Sequence, residues 1–533
     1  MSDAISISRR HERMKSQRQT MVESVWRDCF DYAFPIRGSG LSGAVSTANS
    51  GQAKQAQLLD NTAGDSANVL ASNIMAGLTP ANARWFALDV GNETDDERRW
   101  LDDSAELLWE NIHMGNFDAE AFEGCLDIVI AGMFALFIDE DRDRGGLVFQ
   151  QWPLSSIFVG STRSDGRIDI VHREYTLTAE QAVGEFGAKV PETISKAYRA
   201  GKAGEEFKFL HAIYPRTPHA VGAKLSKNLP VASCHIEMAS RMVCRESGYH
   251  EMPVIVPRWL RVPGSLYAVG PMYTALPTAR QLNELKALEL AGADIAVSGM
   301  WLGVDDGVLN PRTVKLGPRK IVIAADKDSL TPLQTGANFE LSEMMVAKLQ
   351  ADIRKILMAD QLQPQDGPQM TATEVHVRVE MIRKLLGPIY GRLQAEYLKP
   401  LVDRCFGLAY RAGIFKPAPE SLRGRNFSVR YVSPLARAQK LDDVMAIESV
   451  FASAAQLEQV APGTLDNLDP QKALELIVEG RGAPQAIRRK PEDVEKVRAQ
   501  REAKQQQQAA QAGAMQAQQA GMQQAAVRAA GGR

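Results

Sequence analysis

Three short stretches of this chain hold residue types from which ligand sites are built. The first, GSGLSG, sets Gly38, Gly40 and Gly43 at the G-x-G-x-x-G spacing of a dinucleotide turn, in which glycines let the backbone approach a pyrophosphate at a helix N-terminus. That chemistry needs a strand before the turn. Here a helical pattern ending at Pro35 precedes it, so a flexible loop is expected. The second, DEDRDRGG, spaces Asp139, Asp141 and Asp143 like the start of a calcium loop. Arg144 occupies the position of the sharp-turn glycine and Gln150 that of the bidentate glutamate, so a solvated turn is expected instead. The third, Gly201-Lys202, is followed by Ala203, with neither the hydroxyl residue nor the earlier glycine of a phosphate loop.

Other catalytic constellations fare no better. His250-Glu251 lacks the second histidine of a zincin helix, no G-x-S-x-G elbow occurs, and eight thinly spread histidines suggest no triad. Cys29, Cys125, Cys234, Cys244 and Cys405 are odd in number and show no C-x-x-C pair, which argues against a disulfide scaffold. His235 beside Cys234 adds at most one metal ligand, and the cysteines read as core residues of a protein in a reducing compartment. No catalytic residue, metal site or cofactor is expected, and the chain reads as a non-enzyme.

At 533 residues the chain exceeds the size of one hydrophobic core, and 45% apolar with 24% charged residues is an ordinary globular balance. Lys and Arg number 62 against 64 Asp and Glu, so the net charge of -2 gives no general field for gripping phosphates. No window approaches a spanning apolar helix and the basic N-terminus lacks an apolar segment after it, so a soluble, cytosolic chain without membrane contact is expected.

The elements that would carry any site follow from periodicity. Residues 9 to 34 place Met14, Met21, Val25 and Phe30 near helical spacing, and 58 to 79 and 94 to 115 resume helix around a short strand in RWFALDV. From about 125 to 260 the texture becomes strands and turns: CLDIVIAGMFALFID, GLVFQQW, SIFVG, RIDIVHREYTL, FKFLHAIYP, VASCHIEMA and PVIVPRWL, with a short helix in TAEQAVGEFG. Helix returns at Thr278, which has capping-box spacing to Gln281, and runs to about 298. Short strands broken by Gly and Pro follow over 300 to 338. A second amphipathic helix then sets Leu341, Met344, Met345, Leu349, Ile353, Ile356 and Leu357 on one face.

After the loop QLQPQDGPQM comes the longest pattern of all. Thr371 and Glu374 have capping-box spacing, and Val375, Val379, Ile382, Leu386, Ile389 and Leu393 form one apolar seam. Pro388 and Pro400 predict kinks in this helix, and Gly413 and Pro417 end it. Within the β insert, Lys315, Arg319 and Lys320 form a basic cluster that fits DNA phosphates, an acidic partner or an ordinary solvated turn. The zone beyond Lys490 is rich in helix formers but too poor in large apolar residues to fold alone.

The order of these segments and four strings resemble a known family. LLDNTAGDSANVLASNIMAGLTPANARWFAL (58 to 88), GRIDIVHREYTLTAEQAVGEFG (166 to 187), PVIVPRWLRVPGSLYAVGPMYTALPTARQLNELKALEL (253 to 290) and MTATEVHVRVEMIRKLLGPIYGRLQAEYLKPLVDRCFGLAYRAGIFKP (370 to 417) resemble the portal, or head-to-tail connecting, proteins of short-tailed bacteriophages. The family's Tyr-Gly-x-Gly-Pro turn is replaced here by Tyr267-Ala268-Val269-Gly270-Pro271.

The resemblance implies a predominantly helical α+β portal fold. Its wing would span 1-270, stem helices 271-298 and 338-360, the clip 299-337, a channel loop 361-371 and a long kinked wing helix 372-413. A crown at 414-489 and a Gln/Ala-rich barrel or tail at 490-533 would follow. It implies a homo-oligomeric ring of twelve at one capsid vertex of the virion, assembled in the host cytoplasm, through which double-stranded DNA passes without sequence specificity. Its implied partners are the terminase large subunit, the major capsid and scaffolding proteins and a tail adaptor. Gln363, Gln365, Asp366 and Gln369 would face the DNA, and Arg312, Lys315, Arg319 and Lys320 would lie in the clip. A different phage structural, scaffolding or adaptor protein is the alternative, and a cytosolic enzyme a further one.

Overall fold

A computed structural model describes residues 4–41, 54–82, 84–90, 94–141, 145–217, 225–298, 301–303, 330–332, 339–362, 387, 389–422, 428–431, 434–458, 463, 465–481 and a few positions between 496 and 504. It divides into two units, Met1–Leu435 and Ala436–Arg533.

Helices α1 (Ala4–Arg18) and α2 (Ser24–Ala33) are joined by a π turn, Gln19–Glu23. The surplus residue of that turn resets the helical phase. Val22 and Trp26 are therefore buried, whereas Met21, part of the expected apolar face, is 47% exposed. Next come α3 (Thr62–Leu78), β1 (Phe86–Asp89), α4 (Asp95–Met114) and α5 (Phe117–Ile130). Thr94 caps α4: its hydroxyl accepts from the Glu97 N–H while the Glu97 carboxylate accepts from the Thr94 N–H, at 3.4 and 2.9 Å. The stretch CLDIVI, expected as strand, is the second half of α5. All six of its residues are buried, so no polar face betrays the 3.6-residue period, and a short apolar run then looks the same in helix and strand.

The β region follows as expected in type. A three-stranded antiparallel sheet contains β2 (Leu136–Glu140) and β3 (Leu147–Gln151). A five-stranded antiparallel meander is built from β4 (Ile157–Gly160), β5 (Ile170–Thr178), β6 (Glu206–Pro215), β7 (Val231–Glu237) and β8 (Met242–Tyr249). Helix α6 (Ala179–Phe186) is the short helix read from the sequence, and α7 (Glu192–Arg199) and β8 are additional to it. PVIVPRWL yields only the two-residue strands β9 (Val254–Ile255) and β10 (Leu260–Arg261), because Pro253 and Pro257 cannot donate to a ladder. Strand β9 completes the smaller sheet in the order β3-β2-β9, and β10 pairs with β11 (Ala268–Val269).

Helix α8 runs from Pro271 to Ser298, so it starts seven residues before the expected cap, and Thr278 and Gln281 lie inside it. Pro277 is tolerated within this helix, and the capping-box spacing at Thr278 was coincidental. Strands β12 (Trp301–Gly303) and β13 (Leu330–Pro332) pair antiparallel, and α9 (Phe339–Ile356) and the short α10 (Ala359–Leu362) follow, giving the expected order of helix, β insert, helix. The long helix is described from 389 onward: a π turn, Gln394–Leu398, leads into α11 (Lys399–Arg411). The final strand β14 (Ser428–Tyr431) pairs with β1, and α12 (Pro434–Glu458) and α13 (Pro470–Arg481) complete the described elements. The core of the first unit joins α2, α3, α5, the smaller sheet, the start of α8 and α11. All five cysteines are free and buried within the protein, as expected, and burial pushes the Cys29, Cys125 and Cys405 thiols up to about 12.

The larger sheet has one unusual row. Its register sets Arg173, His211, His235 and Arg245 side by side across β5 to β8. The two imidazoles stack with centroids 4.0 Å apart. His211 bonds the Ser233 hydroxyl and His235 the Tyr175 hydroxyl, each at 2.8 Å, while the Arg173 guanidinium lies 4.6 Å from the Trp152 ring centroid. Burial, with Arg245 and Arg173 alongside, pushes His235 down to about 3, and burial drives His211 and His172 well below the usual imidazole range.

The unfolded chain therefore binds protons that the folded one refuses. The stability these histidines permit is full above their unfolded value of 6.5 and is lost as pH falls, by about 1.4 kcal/mol per pH unit for each. Glu174 adds a later loss: burial raises its carboxyl, but hydrogen bonds from His11 and Lys15 outweigh this and hold it at about 2, so its contribution disappears below its ordinary 4.5. Thermal unfolding should show a plateau above about pH 6.5 and a falling midpoint below it. The double variant His211→Gln, His235→Gln should flatten the upper part of that fall. An unchanged midpoint on acidification to about pH 5 would contradict the assignment.

Candidate assembly interface

The surface best suited to an assembly role lies on the α8–α9 pair, and the rest of the first unit holds that pair in place. The pair is fixed at its root. Trp26 donates from Nε1 to the Ala268 carbonyl at 3.0 Å, just before α8. Gly132 and Gly270 cross there without room for side chains: a Cβ on Gly132, which has φ +89°, would lie 2.1 Å from the Val269 carbonyl carbon, and one on Gly270 2.3 Å from the Val129 oxygen. The Gly270-Pro271 turn that departs from the family pattern thus keeps the glycine that this crossing requires.

Farther along, one loop touches both helices. Asn283 of α8 accepts from the Leu59 N–H at 2.8 Å, and Gln350 of α9 donates to the Asp60 carboxylate at 2.7 Å. Arg280 pairs with Asp28 of α2. Met272, Ala275, Leu276, Ala279 and Leu282 are buried at the start of α8, and Ile353 is buried towards the end of α9. Other positions on the same two helices are different. Leu288 is 70% exposed and Met344 68%, and Leu290, Leu341 and Met345 are exposed with them.

This corrects the single apolar face expected for α9: Ile353 and Leu357 are inside, but Leu341, Met344 and Met345 face outward. Large apolar side chains exposed on two packed helices suit an interaction surface. A closed ring requires two different complementary faces on each subunit, which gives such side chains a place to go.

The long helix is fixed by buried guanidinium groups. Arg258, 3% exposed, holds Glu396 in a bidentate pair at 2.6 and 3.0 Å and also donates to the carbonyls of Gly166 and Leu266. Arg392 donates to the Trp259 carbonyl at 2.7 Å. Arg404, 2% exposed, donates to the Ile138 carbonyl and to Glu251 and Asp139 of the β region. Glu251 also receives Arg411 at 2.6 and 2.7 Å. Burial raises the Glu251 carboxyl, but Arg411 and Arg404 outweigh that and hold it below its usual range.

Residues 4–488 match one family, described as "Bacteriophage head to tail connecting protein". The chain belongs to that family. It is 26% identical over 473 residues to the "Probable portal protein" of Bordetella phage BPP-1, covering 86% of this chain and 84% of that protein. It is likewise 26% identical over 522 residues to the "Portal protein" of Salmonella phage epsilon15, covering 94% and 91%. Among solved structures, one described as "Neck of empty GTA particle computed with C6 symmetry" is similar at 15% identity and a TM-score of 0.35, over 76% of this chain and 88% of that one.

In this head-to-tail connecting protein, Pro400 sits at the start of α11, directly after the π turn, where its missing N–H interrupts the regular ladder. Gly413 has φ +71° and follows the last turn of that helix, as expected. The other singled-out positions, Arg312, Lys315, Arg319, Lys320, Gln363, Gln365, Asp366, Gln369, Thr371, Glu374 and Pro388, lie outside the described residues. Sequence reasoning missed the Arg258–Glu396 and Arg404–Glu251 pairs, whose partners are distant in the chain. One signal was present: Arg404 interrupts an otherwise apolar helix face between Val402 and Cys405.

Removing one partner of a buried pair strands the other charge. Glu396→Gln should therefore destabilise the fold by about 3 kcal/mol in denaturant titration. Glu192→Gln, which breaks the exposed Lys196 pair, should change it by less than about 0.5 kcal/mol. Equal effects from the two variants would show that the Arg258–Glu396 pair does not hold the long helix in place.

Proposed function

We propose that this chain is a portal protein of a short-tailed bacteriophage, twelve copies of which close into a ring at one capsid vertex. The ring is a conduit for double-stranded DNA during packaging and ejection. It docks the terminase large subunit during filling and a tail adaptor afterwards, and it meets the major capsid and scaffolding proteins during assembly in the host cytoplasm. The observation that carries this reading is the family match across residues 4–488. The exposed Leu288, Leu290, Leu341, Met344 and Met345 support ring closure, since copies packed side by side would cover them.

In this reading residues 1–270 supply the wing and the α8–α9 pair the stem. The insert between those helices is the clip, where Arg312, Lys315, Arg319 and Lys320 meet the motor, the tail or DNA. Gln363, Gln365, Asp366 and Gln369 line the channel. A lumen of neutral polar and acidic groups suits sliding, because each phosphate neutralised would add counterion-release affinity and hence friction. No helix among the described residues is long and apolar enough to cross a membrane. The long helix links the channel loop to the outer wing, with Pro388 and Pro400 setting its bends.

Electron microscopy of the purified chain should show rings with a central hole. The double variant Leu288→Glu, Met344→Glu should yield folded subunits that sediment as smaller species. A compact monomer from the unaltered chain at all concentrations would overturn the reading. In virions, deleting residues 364–369 should leave rings intact but change the length of DNA packaged or its retention. Replacing Pro388 with alanine should distort ring shape.

A further inference from the structure

A groove beside α4 joins an apolar slot to an acidic rim. It is about 340 Å³ in volume and runs between α4 and the turn that follows α11. Trp100 and Leu107 of α4 and Ile414 and Phe415 of the turn make it apolar. Its walls are fixed: Trp100 donates from Nε1 to the Lys416 carbonyl at 2.9 Å, Phe415 stacks on Phe406 at 5.0 Å, and the Ile414 N–H donates to the Ala409 carbonyl at 3.1 Å. The rim belongs to α4, where Asp103, Glu106 and Glu110 face outward while Leu101, Ala105, Leu108 and Ile112 enter the core.

Glu106 and Glu110 are four residues apart, so their carboxylates repel across one helical turn. Among the described residues neither carboxylate has an ion-pair or hydrogen-bond partner. The chain itself shows what the rim accepts, for the Lys416 ammonium sits 3.1 Å from the Asp103 carboxylate. That leaves the two repelling glutamates beside an apolar slot with no cation of their own.

We propose that this groove docks a basic polypeptide segment of a partner protein, with one bulky apolar side chain in the slot and Lys or Arg residues on Glu106 and Glu110. The volume fits an anchor of one or two side chains rather than a whole helix. A nucleic acid strand is repelled by the same carboxylates. A metal ion is disfavoured because no group of three potential ligands converges among the described residues. The proposal is independent of the ring reading and is tested separately from it.

The test uses the full-length assembled protein and two labelled amphipathic peptides of equal length, one of leucine and lysine and one of leucine and glutamate, followed by fluorescence polarisation. The lysine peptide should bind saturably and the glutamate peptide should not. The exposed charge reversal Glu106→Lys, Glu110→Lys should weaken binding at least about tenfold, equivalent to about 1.4 kcal/mol. Ile414→Ser should also weaken it, with circular dichroism confirming that both variants fold. Unsaturable binding, equal binding by the charge-reversed protein, or binding indifferent to Ile414→Ser overturns the proposal. So does a charge reversal that alters ring assembly without altering peptide binding, since the occupant would then be a neighbouring copy.

Discussion

The buried Arg258 guanidinium is the junction on which the first unit depends. It reaches Glu396 on the long helix and the carbonyls of Gly166 and Leu266, so three stretches far apart in the chain share one charge. A buried guanidinium is tolerated only when its donors are met in the right geometry, and here the requirement fixes positions. The loop after β4, the hairpin leading into α8 and the turn entering α11 must all arrive together. Arg404 repeats the logic one side along, joining α11 to β2 and to Glu251.

Much of the fold was legible because its elements have clear periods. The strands β5, β6 and β7 read well, since long runs rich in branched and aromatic residues are bounded by polar turns. The helix, β insert, helix order was equally plain. Elements failed to read where burial erased the pattern or where proline was misleading. CLDIVI has no polar face because α5 is enclosed, and Thr278 imitates a cap while lying one residue after Pro277 inside a continuous helix.

The site was less legible, for a different physical reason. Apolar spacing says which residues share a helix face but not which face meets the chain's own core. Met344 and Ile353 belong to one sequence pattern, yet the first is outside and the second inside. What separates them is azimuth: nine residues at about 100° each put them on opposite sides of α9, where Val346 and Ile353 turn inward and Met344 outward. Long-range pairs such as Arg258 with Glu396 leave almost no local trace, because charged residues on helices are ordinarily solvated.

The π turn at Gln394–Leu398 has a rotational meaning. A π turn holds one residue more than an α turn, and each helical residue advances the side-chain direction by about 100°. Residues 389–393 therefore face a different azimuth from the one an unbroken helix would give them. Loss of a single residue inside this bulge would keep Arg404 in its socket while swinging the preceding segment around its axis, so the aim of that segment is set by one surplus amino acid.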